Sequence, residues 1–209
     1  FKFKEFFCRK VKHFTDNITA LEIHRGFSHS IVFSVIFAPI FGWIVSKIHR
    51  KLDATWKDWT WLMFLALITH PLLDTMTIYG TQLAQPFSDY PFGIGSLFII
   101  DPLYTLPLLF GLGWVLLKGR SSLAANTAGL VFSSCYVLWS IAAQQHVTQT
   151  VQHQLTDKSY NQVLVLPTAM NTLLWRIVVM TDTAYYEGFY SILEKETEIE
   201  FVAHPLDVE

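Results

Sequence analysis

Charge is what this chain has least of. Of 209 residues, 15% are charged, against roughly 25% in an ordinary soluble domain. Cysteine is almost missing too. Cys8 and Cys135 are the two present, and neither belongs to a CxxC pair. That spacing excludes a disulfide framework and a thiolate zinc site. No excess of basic charge exists, since the formal net charge is -2, and this argues against a nucleic-acid partner. The stretch 1–12 has no apolar h-region and no small-residue cleavage site, so it is not a signal peptide. The connection 75–96 contains no lysine or arginine.

Apolar residues fill the deficit, at 52% of the chain. They gather in segments 31–48, 59–73, 97–117 and 123–143. A membrane span needs about 20 apolar residues, with a range of roughly 17–25. The first, third and fourth segments meet this, and the second does so if its flanks lie in the interface. A chain this short could hardly bury four such helices under polar surface. The expected fold is therefore mainly α, a multi-span membrane bundle of about four transmembrane helices with a small C-terminal β-rich extramembrane unit. The expected divisions are a basic, aromatic juxtamembrane segment over 1–23, a transmembrane helical domain over 24–143, a helical extension over 144–158 and the β-rich unit over 159–209. Within that last unit, strands are expected over 175–180, 184–193 and 198–203, rich in β-branched and aromatic residues. Lys47, Arg50, Lys51 and Lys57 flank the first connection, and Lys118 and Arg120 form the third. The positive-inside rule puts both in the cytoplasm, although the basic segment 1–23 argues the other way.

Three motifs carry chemistry. His24-Arg25-Gly26-Phe27-Ser28-His29 precedes the first span. His70-Pro71-Leu72-Leu73-Asp74 ends the second. Asp101-Pro102 stands near the start of the third. Antiparallel spans place all three at one membrane face. His70 and Asp74 share a helix face at a spacing of four, provided that Pro71 does not break the helix. His24 and His29 are roughly 140° apart on an ideal helix, and a bend at Gly26 would bring them together. Imidazole and carboxylate donors without thiolate suit zinc, manganese or iron. Each residue also has a plainer reading. Asp101 before proline is placed to cap a helix, Asp74 to pair with Arg25, and a histidine at a membrane edge to sit in the interface. Together, ionisable groups at membrane depth are costly and mark function.

These stretches resemble the bacterial inner-membrane, metal-dependent hydrolases described as LexA-binding, inner-membrane-associated hydrolases. The matching residues are His24 to Ser30, His70 to Asp74, Pro91-Phe92 leading to Ile100-Asp101-Pro102-Leu103-Tyr104, and Pro167 to Arg176. The family is distantly similar to zinc-dependent phospholipases C and P1-type nucleases. The resemblance implies a multi-pass protein of the bacterial inner membrane that hydrolyses phosphoester bonds in a lipid or other amphiphilic substrate. It also implies ligands on an aspartate-rich helix preceding His24, and the chain is expected to be a fragment, since it opens on Phe1.

The expected metal ligands are His24, His29, His70, Asp74 and Asp101. Asp74 or Asp101, whichever does not ligate the metal, would take the proton of the attacking water, and Arg25 would clamp a phosphate oxygen. Ser28 is a weaker candidate for a supporting contact. Asn171, Trp175 and Arg176 close over the site, bind a partner or pack the β unit. A metal or ion transporter and a membrane scaffold with structural metal are the rival readings.

Overall fold

A computed structural model describes residues 25–119, 123–156, 158–194 and 198–205. They form four α-helices followed by a four-stranded antiparallel sheet. The chain divides between Ile94 and Gly95 into two compact units. The cut falls inside the stretch 24–143 expected as one helical domain. The basic segment 1–23 lies outside the described residues.

The first unit holds a 3-10 turn, Phe27–His29, and two helices, α1 (Ile31–Ile48) and α2 (Trp56–Asp74). Ser30 caps α1 by accepting from the Phe33 N–H at 3.0 Å. Thr55 and Asp58 cap α2 reciprocally, which satisfies two amide donors that would otherwise be unpaired. The Thr55 hydroxyl, and then its backbone N–H, hold the exposed Asp58 carboxyl below its ordinary pKa. This box starts α2 at Trp56, three residues before the apolar run begins. Pro71 does not end the helix, which continues to Asp74.

Packing between α1 and α2 uses small residues. Ser34, Ala38 and Gly42 are the buried positions of α1. A Cβ at Gly42 would lie 2.6 Å from the Thr60 backbone. Large side chains face outward instead: Val35, Ile36, Ile40, Trp43 and Ile44 are all exposed. A water-soluble helix hides such residues, whereas a helix in lipid buries small ones at its contacts.

The second unit repeats this arrangement. It holds α3 (Pro102–Lys118) and α4 (Leu123–Gln154). Asp101 caps α3, and Pro102 takes the first helical position, where a missing N–H costs nothing. The expected segment 97–117 therefore starts its helix five residues later. Gly129 of α4 is buried against the Pro107 carbonyl of α3. With 32 residues, α4 is about 48 Å long, well beyond the roughly 30 Å hydrocarbon core of a bilayer. Its final turns, expected as a helical extension, carry the sheet.

The sheet is a meander of β1 (Gln162–Pro167), β2 (Leu174–Met180), β3 (Ala184–Ser191) and β4 (Phe201–Pro205). Trp175, Ile177 and Val179 of β2 alternate inward. They join Val147, Val151 and Leu155 at the end of α4 in one core. The Gln154 amide donates to the Ile199 carbonyl at 2.8 Å and accepts its N–H at 2.9 Å, as a strand neighbour would.

Among the described residues, two helices, Ile31–Ile48 and Leu123–Gln154, are long and apolar enough to cross a membrane. Only 17% and 22% of their apolar windows are buried, which separates them from the core helices of a soluble protein.

Candidate metal centre

The site is built in the first unit where α2 ends. His29 Nε2 lies 3.5 Å from Asp74 Oδ2, and His70 Nε2 lies 3.9 Å from the same oxygen. The three donor atoms offered by His29, His70 and Asp74 fall within 4.8 Å of one another. The imidazole rings stand 5.1 Å apart at 51°. Each element has a physical reason to place its ligand there. An unbroken α2 sets His70 and Asp74 one turn apart. The 3-10 turn swings His29 inward, and the Ser28 hydroxyl meets its Nδ1 at 3.1 Å, so Nε2 is the atom turned to the carboxylate. A hydrogen-bonded second nitrogen is the usual support of a metal-binding imidazole.

Arg25 supports the other carboxylate oxygen. Its Nη2 lies 3.8 Å from Asp74 Oδ1, while Nη1 donates to Thr77 Oγ1 at 2.9 Å and to the Gly80 carbonyl at 3.5 Å. The guanidinium also lies 5.2 Å above the centre of the Tyr79 ring, within cation–π range. Thr77 itself donates to the Asp74 carbonyl at 2.7 Å. The two oxygens of Asp74 thus face different partners: Oδ1 an arginine, Oδ2 two imidazoles.

The connection after α2 makes this possible. Gln82 N–H donates to the Arg25 carbonyl at 3.1 Å, and Ile31 N–H to the Leu83 carbonyl at 3.0 Å. Thr81 and Phe92 pair as an antiparallel bridge. Gly80 has φ of +71°, and a Cβ there would lie 2.8 Å from Pro91. Only glycine adopts that conformation freely and permits so close an approach.

The donor chemistry fits a small divalent ion. Ligands at 2.0–2.1 Å around a tetrahedral ion stand about 3.3 Å apart, a little less than the 3.5 and 3.9 Å between the two imidazole nitrogens and Asp74 Oδ2. The set is two imidazoles and one carboxylate. Burial falls across the site, from His29 at 8% side-chain exposure through Asp74 at 18% to His70 at 65%. It is therefore open on the His70 side.

The structure brings together four of the expected residues: Arg25, His29, His70 and Asp74. His24 lies outside the described residues. Asp101 belongs to the second unit and is engaged there. It is 1% exposed, accepts the Leu103 N–H at 3.0 Å through Oδ1 and the Tyr136 hydroxyl at 2.9 Å through Oδ2. Thr172 donates to the Tyr136 oxygen at 3.1 Å, and Trp139 Nε1 donates to Thr172 at 3.2 Å. Asn171 shapes the β1–β2 turn by accepting from Leu173 and Leu174 N–H at 3.0 and 2.9 Å. Trp175 is fully buried in the sheet core. Arg176 pairs with Glu187 on the sheet surface. All three serve the β unit. Thr77 and Tyr79 were missed in the sequence. Their only signal was the Tyr79-Gly80 turn in a connection free of lysine and arginine.

The fold and site define an apolar, largely helical protein with a His/Asp cluster at a helix end. The chain belongs to the YdjM inner membrane protein family, whose pattern matches residues 8–147. An inner-membrane location accords with that family and with the two apolar helices. The chain is also 27% identical over 180 residues to the uncharacterized protein YfhP of Bacillus subtilis. That alignment covers 83% of this chain, and the chain spans about half (51%) of the relative's length. No solved structure matches.

Proposed function

We propose that this protein is a metal-dependent hydrolase of phosphoester bonds in an amphiphilic substrate, held in the inner membrane by four spanning helices. The observation that carries this reading is the convergence of His29, His70 and Asp74, with Arg25 beside them, at one end of an apolar helix pair. Among the described residues, two imidazoles and one carboxylate supply three donors, the number a catalytic zinc site holds beside its water. Zinc suits this set best, with manganese or iron as alternatives.

His29 and His70 would hold a divalent ion through their nitrogens and Asp74 through Oδ2, and the ion would supply a water of lowered pKa and polarise the phosphoryl oxygen. If Asp74 is not itself a ligand, its carboxylate would take the proton of the attacking water as the oxygen–phosphorus bond forms, and return it to the departing alcohol oxygen. Arg25 lies beside Asp74 Oδ1 and would place positive charge beside the phosphate. Asp101 is assigned to the capping network of α3 and α4. A transporter would carry ionisable groups near mid-span on several helices. Here α1 has none before Lys47, and α4 has no acidic or basic residue except His146 and His153.

The purified protein, loaded with zinc or manganese, should hydrolyse members of a panel of phosphodiesters and phosphomonoesters, and Asp74→Ala should abolish turnover. A metal-bound protein that turns over no member of the panel would overturn the hydrolase reading.

A further inference from the structure

The turn between α1 and α2 stands at the opposite end of that hairpin from the His/Asp cluster, and its chemistry is different. Four of the chain's 15 lysines and arginines fall within residues 47–57, although the whole chain has a formal net charge of -2. Lys47, Arg50, Lys51 and Lys57 are all exposed. None of the four forms an ion pair with another described residue. Two carboxylates, Asp53 and Asp58, share the turn, so the cations outnumber them two to one. Asp58 is directed at the cap of α2, where Oδ2 accepts the Thr55 N–H and hydroxyl, each at 2.7 Å. Tryptophan gathers here as well. Trp43, Trp56 and Trp61 are exposed. Lys47 Nζ lies 5.6 Å from the centre of the Trp43 ring, and the His49 ring packs 5.2 Å from that of Trp59.

We propose that this turn binds the headgroups of anionic phospholipids. Two observations select that partner. The length of α1 sets the depth of the turn. Its 18 residues span about 27 Å, close to the roughly 30 Å of a hydrocarbon core. When α1 crosses the bilayer, residues 47–57 therefore reach the headgroup layer, and Trp43 and Trp56 fall at the boundary where indole rings are most at home. Charge then chooses among lipids. A zwitterionic headgroup satisfies the tryptophans but brings no net charge to four unpaired cations, whereas an anionic headgroup does both. This lipid contact is separate from the His/Asp cluster and holds whether or not that cluster is catalytic.

Tryptophan fluorescence reads this contact, because Trp43, Trp56, Trp59 and Trp61 are four of the chain's seven tryptophans. The full chain is reconstituted in mixtures of phosphatidylcholine and phosphatidylglycerol, with brominated acyl chains on one lipid or the other as quencher. Quenching should show about a fivefold preference for phosphatidylglycerol at low salt, and the preference should weaken as ionic strength rises. Arg50→Gln with Lys51→Gln and Lys57→Gln should bring the preference close to unity. All three side chains are exposed, so the helix content seen by circular dichroism should not change. Lys51→Gln alone should lower the preference part of the way, and Lys158→Gln, an exposed cation of the second unit, should leave it intact. Equal quenching by the two lipids overturns the lipid assignment and leaves the cations to a soluble acidic partner. A preference that survives the triple substitution in the folded protein also overturns it, since another part of the chain would then hold the anionic lipid.

Discussion

Asp74 is the residue through which the site is coupled. Its two oxygens are divided between a cation and two imidazoles, and its backbone carbonyl is tied to Thr77. The residues that orient the ligands should matter almost as much as the ligands. Ser28→Ala removes the partner of His29 Nδ1 and should weaken metal affinity by about 10–100-fold, read by competition with a chromophoric chelator. Unchanged affinity would show that Ser28 does not orient the ring. Asp101 should behave in the opposite way. Asp101→Ala leaves the Tyr136 hydroxyl and the Leu103 N–H without their acceptor, which costs about 1–3 kcal/mol. The thermal midpoint should drop while metal content is retained. Loss of metal with an unchanged midpoint would return Asp101 to the ligand shell.

Much of this was legible in the sequence, for physical reasons that differ by residue. His70 and Asp74 could be paired from spacing alone, since a helix dictates which residues share a face. His29 could be placed at the same membrane face, but not oriented, because its direction depends on a 3-10 turn that no periodicity marks. Asp101 shows the limit of a motif. An aspartate before proline reads equally as ligand and as cap, and only the contacts with Leu103 and Tyr136 show the capping geometry. Thr77 and Tyr79 were hidden because a connection has no period. Their role depends on Gly80 folding the chain back beneath Arg25.

At the scale of elements, the helices are paired by small residues and present large ones outward. This inverts the pattern of a soluble bundle and explains why hydrophobic periodicity says little here about which face packs. The contact between α1 and α2 is closest at Gly42. Gly42→Leu should force the helices apart at Thr60, with a cost of about 1–3 kcal/mol or more. The measurement is thermal unfolding in detergent, and a midpoint equal to that of the unsubstituted protein would mean the helices do not pack so closely. The sheet was legible in its middle and not at its first edge. Trp175, Ile177 and Val179 alternate with more exposed positions and read as a strand. In β1, apolar residues occupy both faces, as in Val163-Leu164-Val165-Leu166, so no alternation marks it. The end of the chain's fourth expected segment was clear for a similar reason: Gln144 begins a polar face, yet Val147 and Val151 continue the buried stripe of α4 into the sheet core.

At the scale of the whole molecule, the family and the apolar helices agree on an inner-membrane protein, and the cluster gives that protein a place for chemistry. The apolar helix pair and the His/Asp cluster are joined by α2. One helix both pairs with the apolar α1 and ends in His70 and Asp74, so the site is fixed relative to the apolar surface of its own unit. Under the proposed hydrolase reading, that arrangement would favour substrates with a charged head and an apolar body over soluble phosphoesters. The central claim, however, is the metal centre itself. It is tested most directly by elemental analysis of the purified full-length protein beside His29→Ala, His70→Ala and Asp74→Ala, each shown to be folded by far-UV circular dichroism. The account predicts a divalent transition metal bound in the unsubstituted protein and largely lost from all three variants. Full metal content in the folded His70→Ala and Asp74→Ala proteins would contradict it.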